Sequence, residues 1–221
     1  ATATGIETLV LRSEEFRAYL DGLYLDYFRH PDRHGDVQCA IRLLRAQAIH
    51  ARPVLLHNRF ARVGREIYID LADGSGRAIH VSESGWTIVR NAPVEFRRHQ
   101  HQRPLPVPAP GGDVELLLDT LHLPGGDEWL LVLAWALWAM VEGVPHPVLL
   151  FVGGTDSGKT TTARLLRSAI DPSAMATVIA PKGLIEIALA LDAHAVPVFD
   201  NVTRLNQSDT DLMCQVVSGA G

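Results

Sequence analysis

Cysteine is almost absent from this chain: Cys39 and Cys214 stand alone and far apart. Two such thiols make neither a disulfide framework nor a zinc pattern, and they fit a reduced, cytoplasmic setting. An excess of basic charge is missing as well. Twenty Lys and Arg against 25 Asp and Glu leave a net charge of −5 with His neutral. That excludes a protein that grips nucleic acid by its overall field, though not one with a local basic channel. Long hydrophobic runs are lacking too. The most apolar window, "WLLVLAWALWAMV" at 129–141, is bounded by Glu128 and Glu142. It falls short of the roughly 20 residues that span a bilayer, so it reads as a buried helix and no membrane partner is expected. No internal repeat and no charged-then-apolar leader is visible. The chain opens at Ala1 without Met, as expected of a processed chain or a fragment. With 47% apolar and 20% charged residues, there is material for a core and no signature of disorder.

The chain divides by character. Residues 6–50 read as helices: "SEEFRAYLDGLYLDYF" and "DVQCAIRLLRAQAIHA" space their apolar residues by three and four, with Ser13 as an N-cap. A β-rich stretch follows, through "EIYIDLA", "RAIHVS" and "WTIVR", with "ADGSGR" at 72–77 as a hairpin loop and "SESGW" at 82–86 as a second turn. "RPLPVPAPGGD" at 103–113 has the proline spacing and terminal Gly-Gly of a linker. Two domains are expected on either side of it, an α+β domain over 1–105 and an α/β domain over 113–221. In the second, "PVLLFV" (147–152) and "AVPVFD" (195–200) read as buried parallel strands. Helices are expected after residue 158, ending near Asp171 before Pro172, over 182–193, and over 208–219 with Gly219 as its stop. Strands alternating with helices imply layered α/β architecture.

Between the first of those strands and its helix lies "GGTDSGKTTT". Gly153, Gly158, Lys159 and Thr160 satisfy G-x-x-x-x-G-K-[ST] at every defined position. A loop free of bulky side chains lets backbone N–H groups converge on a polyphosphate, and the following helix aims its positive end at the same place. The expected nucleotide-binding residues are Gly153, Gly154, Thr155, Asp156, Ser157, Gly158, Lys159, Thr160 and Thr161. Lys159 would reach the β- and γ-phosphates, and the Thr160 hydroxyl would ligate Mg²⁺. Asp156 is repelled by phosphate, so its side chain is expected to point outward. A phosphate loop usually works with an acid ending a second strand, and Asp200 is that acid, a second Mg²⁺ ligand beside Thr160. The catalytic candidates are Lys159, Asp200 and Asn201. Asn201 stands where many strand-coupled ATPases carry a carboxylate; it can position a water but accepts no proton, which leaves slow catalysis, a base from elsewhere, or Asp200 itself. The ligands implied are ATP and Mg²⁺.

Residues 147–221 resemble the ATPase region of replication proteins carried by phages, plasmids and integrative elements, relatives of the superfamily 3 helicases within the AAA+ class. "GGTDSGKTTTARLLRSAIDPS" carries the general part, and "FDNVTRL" followed by "SDTDLMCQVVSGAG" the more specific part. Weaker likeness extends upstream through "IYIDLAD", "GWTIV" and "PVEFRR". The resemblance implies a P-loop NTPase parallel sheet and a homo-oligomeric, hexameric ring that moves along or remodels DNA. In that class a later strand lies between the phosphate-loop strand and the acid strand, and a polar sensor and an arginine finger follow the acid. None of the three is assignable before Gly221, so the sheet is expected to be incomplete at its C-terminal side, in a truncated chain or with a different strand order.

Other signals are weaker. Arg97, Arg98, His99, His101 and Arg103 in "FRRHQHQR" are candidates for DNA phosphates, and the simpler reading is a solvated strand end. Zinc at His99 and His101 lacks further ligands at suitable spacing. Trp129, Trp135 and Trp138 read as core, and Arg164 and Arg167 as exposed charges. Two other functions stay open: a small-molecule or nucleotide kinase using the same loop, and an ATP-binding interaction module without turnover.

Overall fold

The computed structural model describes residues 8–121, 127–180, 183–202 and 206–218. Gly219, the expected stop of the last helix, lies outside them. Two helices come first, α1 (Glu14–Phe28) and α2 (Asp36–His50). Ser13 caps α1, its hydroxyl accepting the Phe16 N–H at 3.1 Å. The chain leaves α1 through Arg29 in the left-handed region, φ 61°. Asp32 then opens α2: its carboxylate accepts the backbone N–H groups of His34, Gly35, Asp36 and Val37. That one side chain satisfies donors which the start of a helix leaves without partners.

Strands β2 (Phe60–Val63), β3 (Glu66–Asp70), β4 (Arg77–Ser82) and β5 (Gly85–Arg90) form an antiparallel sheet in sequence order. The register sets Phe60 opposite Ile69 and Ile69 opposite Ile79. Side chains alternate across a strand, so Phe60, Ile67, Ile69, Ile79 and Val81 share the face turned to the core. The two turns read from the sequence fall where expected, at β3–β4 and β4–β5. The first needs positive φ at Gly74 and Gly76 (78° and 72°). Short strands β1 (Leu56–His57) and β6 (Glu95–Phe96) pair in parallel beside this sheet.

The second half holds α3 (Val114–Leu121), α4 (Glu128–Trp138), α5 (Lys159–Ile170), β7 (Val178–Ile179), α6 (Leu184–Ala193), β8 (Phe199–Asp200) and α7 (Gln207–Ser218). β7 and β8 are parallel neighbours joined through α6. The run at 147–152, expected as a strand, forms none among the described residues, and of the one expected over 195–200 only Phe199–Asp200 forms. One side of the 147–152 run lies on the core: Leu149 and Phe151 pack inward, while Val148 and Leu150 stand out and Val152 is 83% exposed. Its apolar character predicts burial on both faces, and only one is covered.

Among the described residues one hydrophobic core spans both sides of the proline-rich stretch at 103–113. Phe60 and Ile69 of the sheet pack with Leu121, Val132, Ala136, Leu166, Ile170 and Val196. Burying one such aliphatic or aromatic side chain stabilises the fold by about 1.5–3 kcal/mol. The start of the stretch is also tied on both sides: Arg103 N–H donates to Pro172 O and Leu105 N–H to Leu71 O, each at 2.9 Å.

Under that core lies a polar junction. Arg59, fully buried, donates to Asp171 Oδ1 at 3.0 Å, to Asp70 O at 3.2 Å and to Arg103 O at 2.9 Å. Arg167 is only 2% exposed, contrary to the expectation of a surface charge. It donates to Met175 O at 2.7 Å and to His194 Nδ1 at 2.8 Å. The "FRRHQHQR" segment is likewise built in rather than solvated. Arg98 forms a two-point pair with Asp70 at 2.9 and 2.8 Å, and Arg97 reaches Asp192. The ring centroids of His99 and His101 are 5.4 Å apart, and those of His101 and His194 4.1 Å. Buried charges hold only with such pairing, and the partners come from distant parts of the chain.

Burial, then the neighbouring His101 and Arg167, depresses the His194 pKa to about 4. Burial first also lowers His99 and His101. The unfolded chain takes up these protons near pH 6.5, the folded chain only at lower pH. The stability they carry is therefore complete above about pH 6.5 and is lost as pH falls toward 4. The urea midpoint should be lower at pH 5 than at pH 7.5, and His194→Gln should flatten that slope. Equal slopes in the two proteins would refute the assignment.

Candidate functional site

The loop at 153–158 is placed from both sides. Upstream, the Trp135 indole N–H donates to Pro147 O at 2.8 Å and that of Trp138 to Pro145 O at 2.7 Å. These bonds lash the approach to α4, and Phe151 fixes it to the core. Downstream, α5 begins at Lys159 directly after Gly158, which takes φ 80° as its N-cap. Asp156 is also left-handed, φ 59°, and is solvent-exposed while lining the cleft. At Gly153 a Cβ would stand 2.7 Å from Ser157 Oγ, so that hydroxyl would have to turn aside.

Lys159 Nζ is folded back into this loop, donating to Gly153 O at 2.9 Å, to Ser157 Oγ at 3.1 Å and to Gly154 O. On the next residue, the Thr160 hydroxyl donates to Asp200 Oδ1 at 3.0 Å. Asp200 ends β8, and Asn201 follows at φ 57°, a region Asn tolerates better than most residues. That turn brings the Asn201 N–H to 3.0 Å from the same Oδ1. A glycine cradle, a lysine, a hydroxyl and a carboxylate thus meet at the N-terminal end of one helix. That end carries positive partial charge and free N–H groups, a donor set suited to a polyphosphate and a hard divalent cation.

A cleft of about 980 Å³ opens here, large enough for a nucleotide-sized ligand. Gly153, Thr155, Asp156, Lys159, Thr160, Asp200 and Asn201 line it, and its floor is apolar, with Phe151, Val198 and Met213. Gly154 and Ser157 reach the site through Lys159, Gly158 shapes the turn, and Thr161 is exposed on α5 outside the cleft lining. Arg164 was not a sequence candidate, yet its Nη2 lies 3.9 Å from Asp200 Oδ2. Its spacing of four from Thr160 was the available signal, since such residues share a helix face. Among the described residues no group of three or more His, Cys, Asp or Glu is arranged to hold a metal.

Residues 114–221 match the family model of the actinomycete integrative conjugative element replication protein. The match takes in the phosphate-type loop, α5, β7, α6, Asp200 and α7, and leaves out the antiparallel sheet. It supports a role in the replication of a mobile element. No curated protein and no solved structure matches the chain. Among the described residues no helix is long and apolar enough to cross a membrane.

Proposed function

We propose that the cleft binds ATP with Mg²⁺ and that hydrolysis drives unwinding or remodelling of DNA during mobile-element replication. The observation that carries this reading is the 3.0 Å contact between Thr160 Oγ1 and Asp200 Oδ1. The motif predicts that these two, 40 residues apart, serve one cation, and nothing local in the chain brings them together. The proposed α/β P-loop architecture draws support from the helix that opens at Lys159 and from the parallel β7–β8 pair. In this reading the backbone N–H groups of 153–160 wrap the phosphates. Lys159 leaves its glycine carbonyls for the phosphate oxygens, Thr160 and Asp200 hold the ion, and Asn201 orients water for in-line attack. Mg²⁺, when bound, withdraws charge from the β- and γ-phosphates. Asn201 takes no proton, so the base is supplied elsewhere, and a homo-oligomer that completes the site between subunits accounts for this.

The test is phosphate release against protein concentration, with Mg²⁺, with and without single-stranded DNA. The expected result is a rate that rises faster than concentration and is stimulated by DNA. ATP binding with no release under any of these conditions would leave an interaction module. Transfer to an added nucleoside or sugar, indifferent to DNA, would mark a kinase.

A further inference from the structure

Arg164 stands one helical turn after Thr160, on the same face of α5. The two side chains address different oxygens of one carboxylate. Thr160 donates to Oδ1 of Asp200 at 3.0 Å, and Arg164 Nη2 lies 3.9 Å from Oδ2. The same Nη2 donates to Thr177 Oγ1 at 3.4 Å, one residue before β7, whose Val178 pairs with Phe199. The guanidinium therefore sits between Thr177, just before β7, and Asp200 at the end of β8. Oδ1 is already served by two neutral donors, the Thr160 hydroxyl and the Asn201 N–H, whereas Oδ2 faces a positive charge. Lys159 does not share this duty, because its ammonium is turned to the loop carbonyls.

We propose that Arg164 sets the metal affinity of the site: it acts as an internal cation on the outer oxygen of Asp200 and competes there with the divalent ion. The inference rests on the nucleotide reading above. An ion arriving alone meets a carboxylate whose charge is already partly neutralised, and a guanidinium that repels it. An ion arriving with nucleotide brings the negative charge that offsets this repulsion. Metal binding is thereby made conditional on nucleotide, and Arg164 is a positioning residue that acts through Asp200. It is 51% exposed at its side chain, which leaves it room to swing aside.

The experiment uses the full chain and N-methylanthraniloyl-ADP as fluorescent probe, titrated with Mg²⁺ at fixed nucleotide. Arg164→Gln should lower the half-saturating Mg²⁺ concentration about threefold, a size set by the modest worth of a part-exposed ion pair. Arg164→Lys, which keeps the charge, should stay near the wild type, and raising the salt concentration should shrink the difference. General damage to the site moves affinity the opposite way, so the sign separates the two causes. An unchanged or higher Mg²⁺ requirement in Arg164→Gln, with both proteins binding the probe, overturns the role of Arg164 and leaves the nucleotide reading standing. A wild type that binds no probe at any Mg²⁺ concentration overturns both.

Discussion

Lys159→Ala should abolish ATP turnover and weaken nucleotide binding at least tenfold, while leaving the urea midpoint where it was. The ammonium makes its hydrogen bonds to two glycine carbonyls and one hydroxyl on an exposed loop, so little of the fold depends on it. Surface changes of this kind cost less than about 0.5 kcal/mol. Against a phosphate the same group forms charge-assisted bonds, each worth about 1.5–3 kcal/mol, and the loss of one exceeds a factor of ten. In the transition state the effect grows, because charge on the transferred phosphoryl group has to be met by groups already in place. Nucleotide binding followed by calorimetry, beside phosphate release, checks both parts. A variant that binds and hydrolyses like the wild type removes the proposed site.

The second large effect is on folding. Asp171→Ala should destabilise the protein by about 3–5 kcal/mol, the range found when one partner of a buried ion pair is deleted. Asp171 accepts from Arg59 at 3.0 Å and from the Val196 N–H at 3.2 Å, and Arg167 stands 3.9 Å away. Both arginines are buried. Without the carboxylate, two guanidinium groups stay inside with their main counter-charge gone. Asp171→Asn retains an acceptor and should fall between the variant and the wild type. Urea unfolding at pH 7.5 measures both. A loss below about 1 kcal/mol for the alanine variant would mean that water reaches the pair, contrary to the burial seen here.

Local chemistry was readable from the chain. Ser13 is the cap it was expected to be, the hairpin at 72–77 joins β3 to β4, and α5 ends at Ile170, before Asp171 and Pro172. Each depends on residues within a few positions of one another. The meeting of Thr160 with Asp200 was also anticipated, because the motif carries a mechanism that demands it. What escaped notice depends on distant partners. Arg167 looks like any helical arginine until His194 and Asp171 are seen around it. "FRRHQHQR" looks solvated until Asp70, Asp192 and His194 close on it. The proline-rich stretch at 103–113 has linker composition, yet side chains on both sides of it share one core. The run at 147–152 shows the opposite error. An unbroken apolar string marks a strand enclosed above and below, but the backbone leaves every second residue of it facing out. Composition reports how greasy a segment is and carries no information on how many neighbours come to cover it.

The asymmetric mounting of α5 has a mechanical consequence. Twelve residues make a rod roughly 18 Å long at 1.5 Å per residue. Its far tip is bolted through Arg167 and Asp171 to Arg59, 112 residues before Asp171 in the chain, and its near tip rises from the glycine loop with Thr160 on Asp200. A rod held this way couples the end of β8 to the residue just before β2.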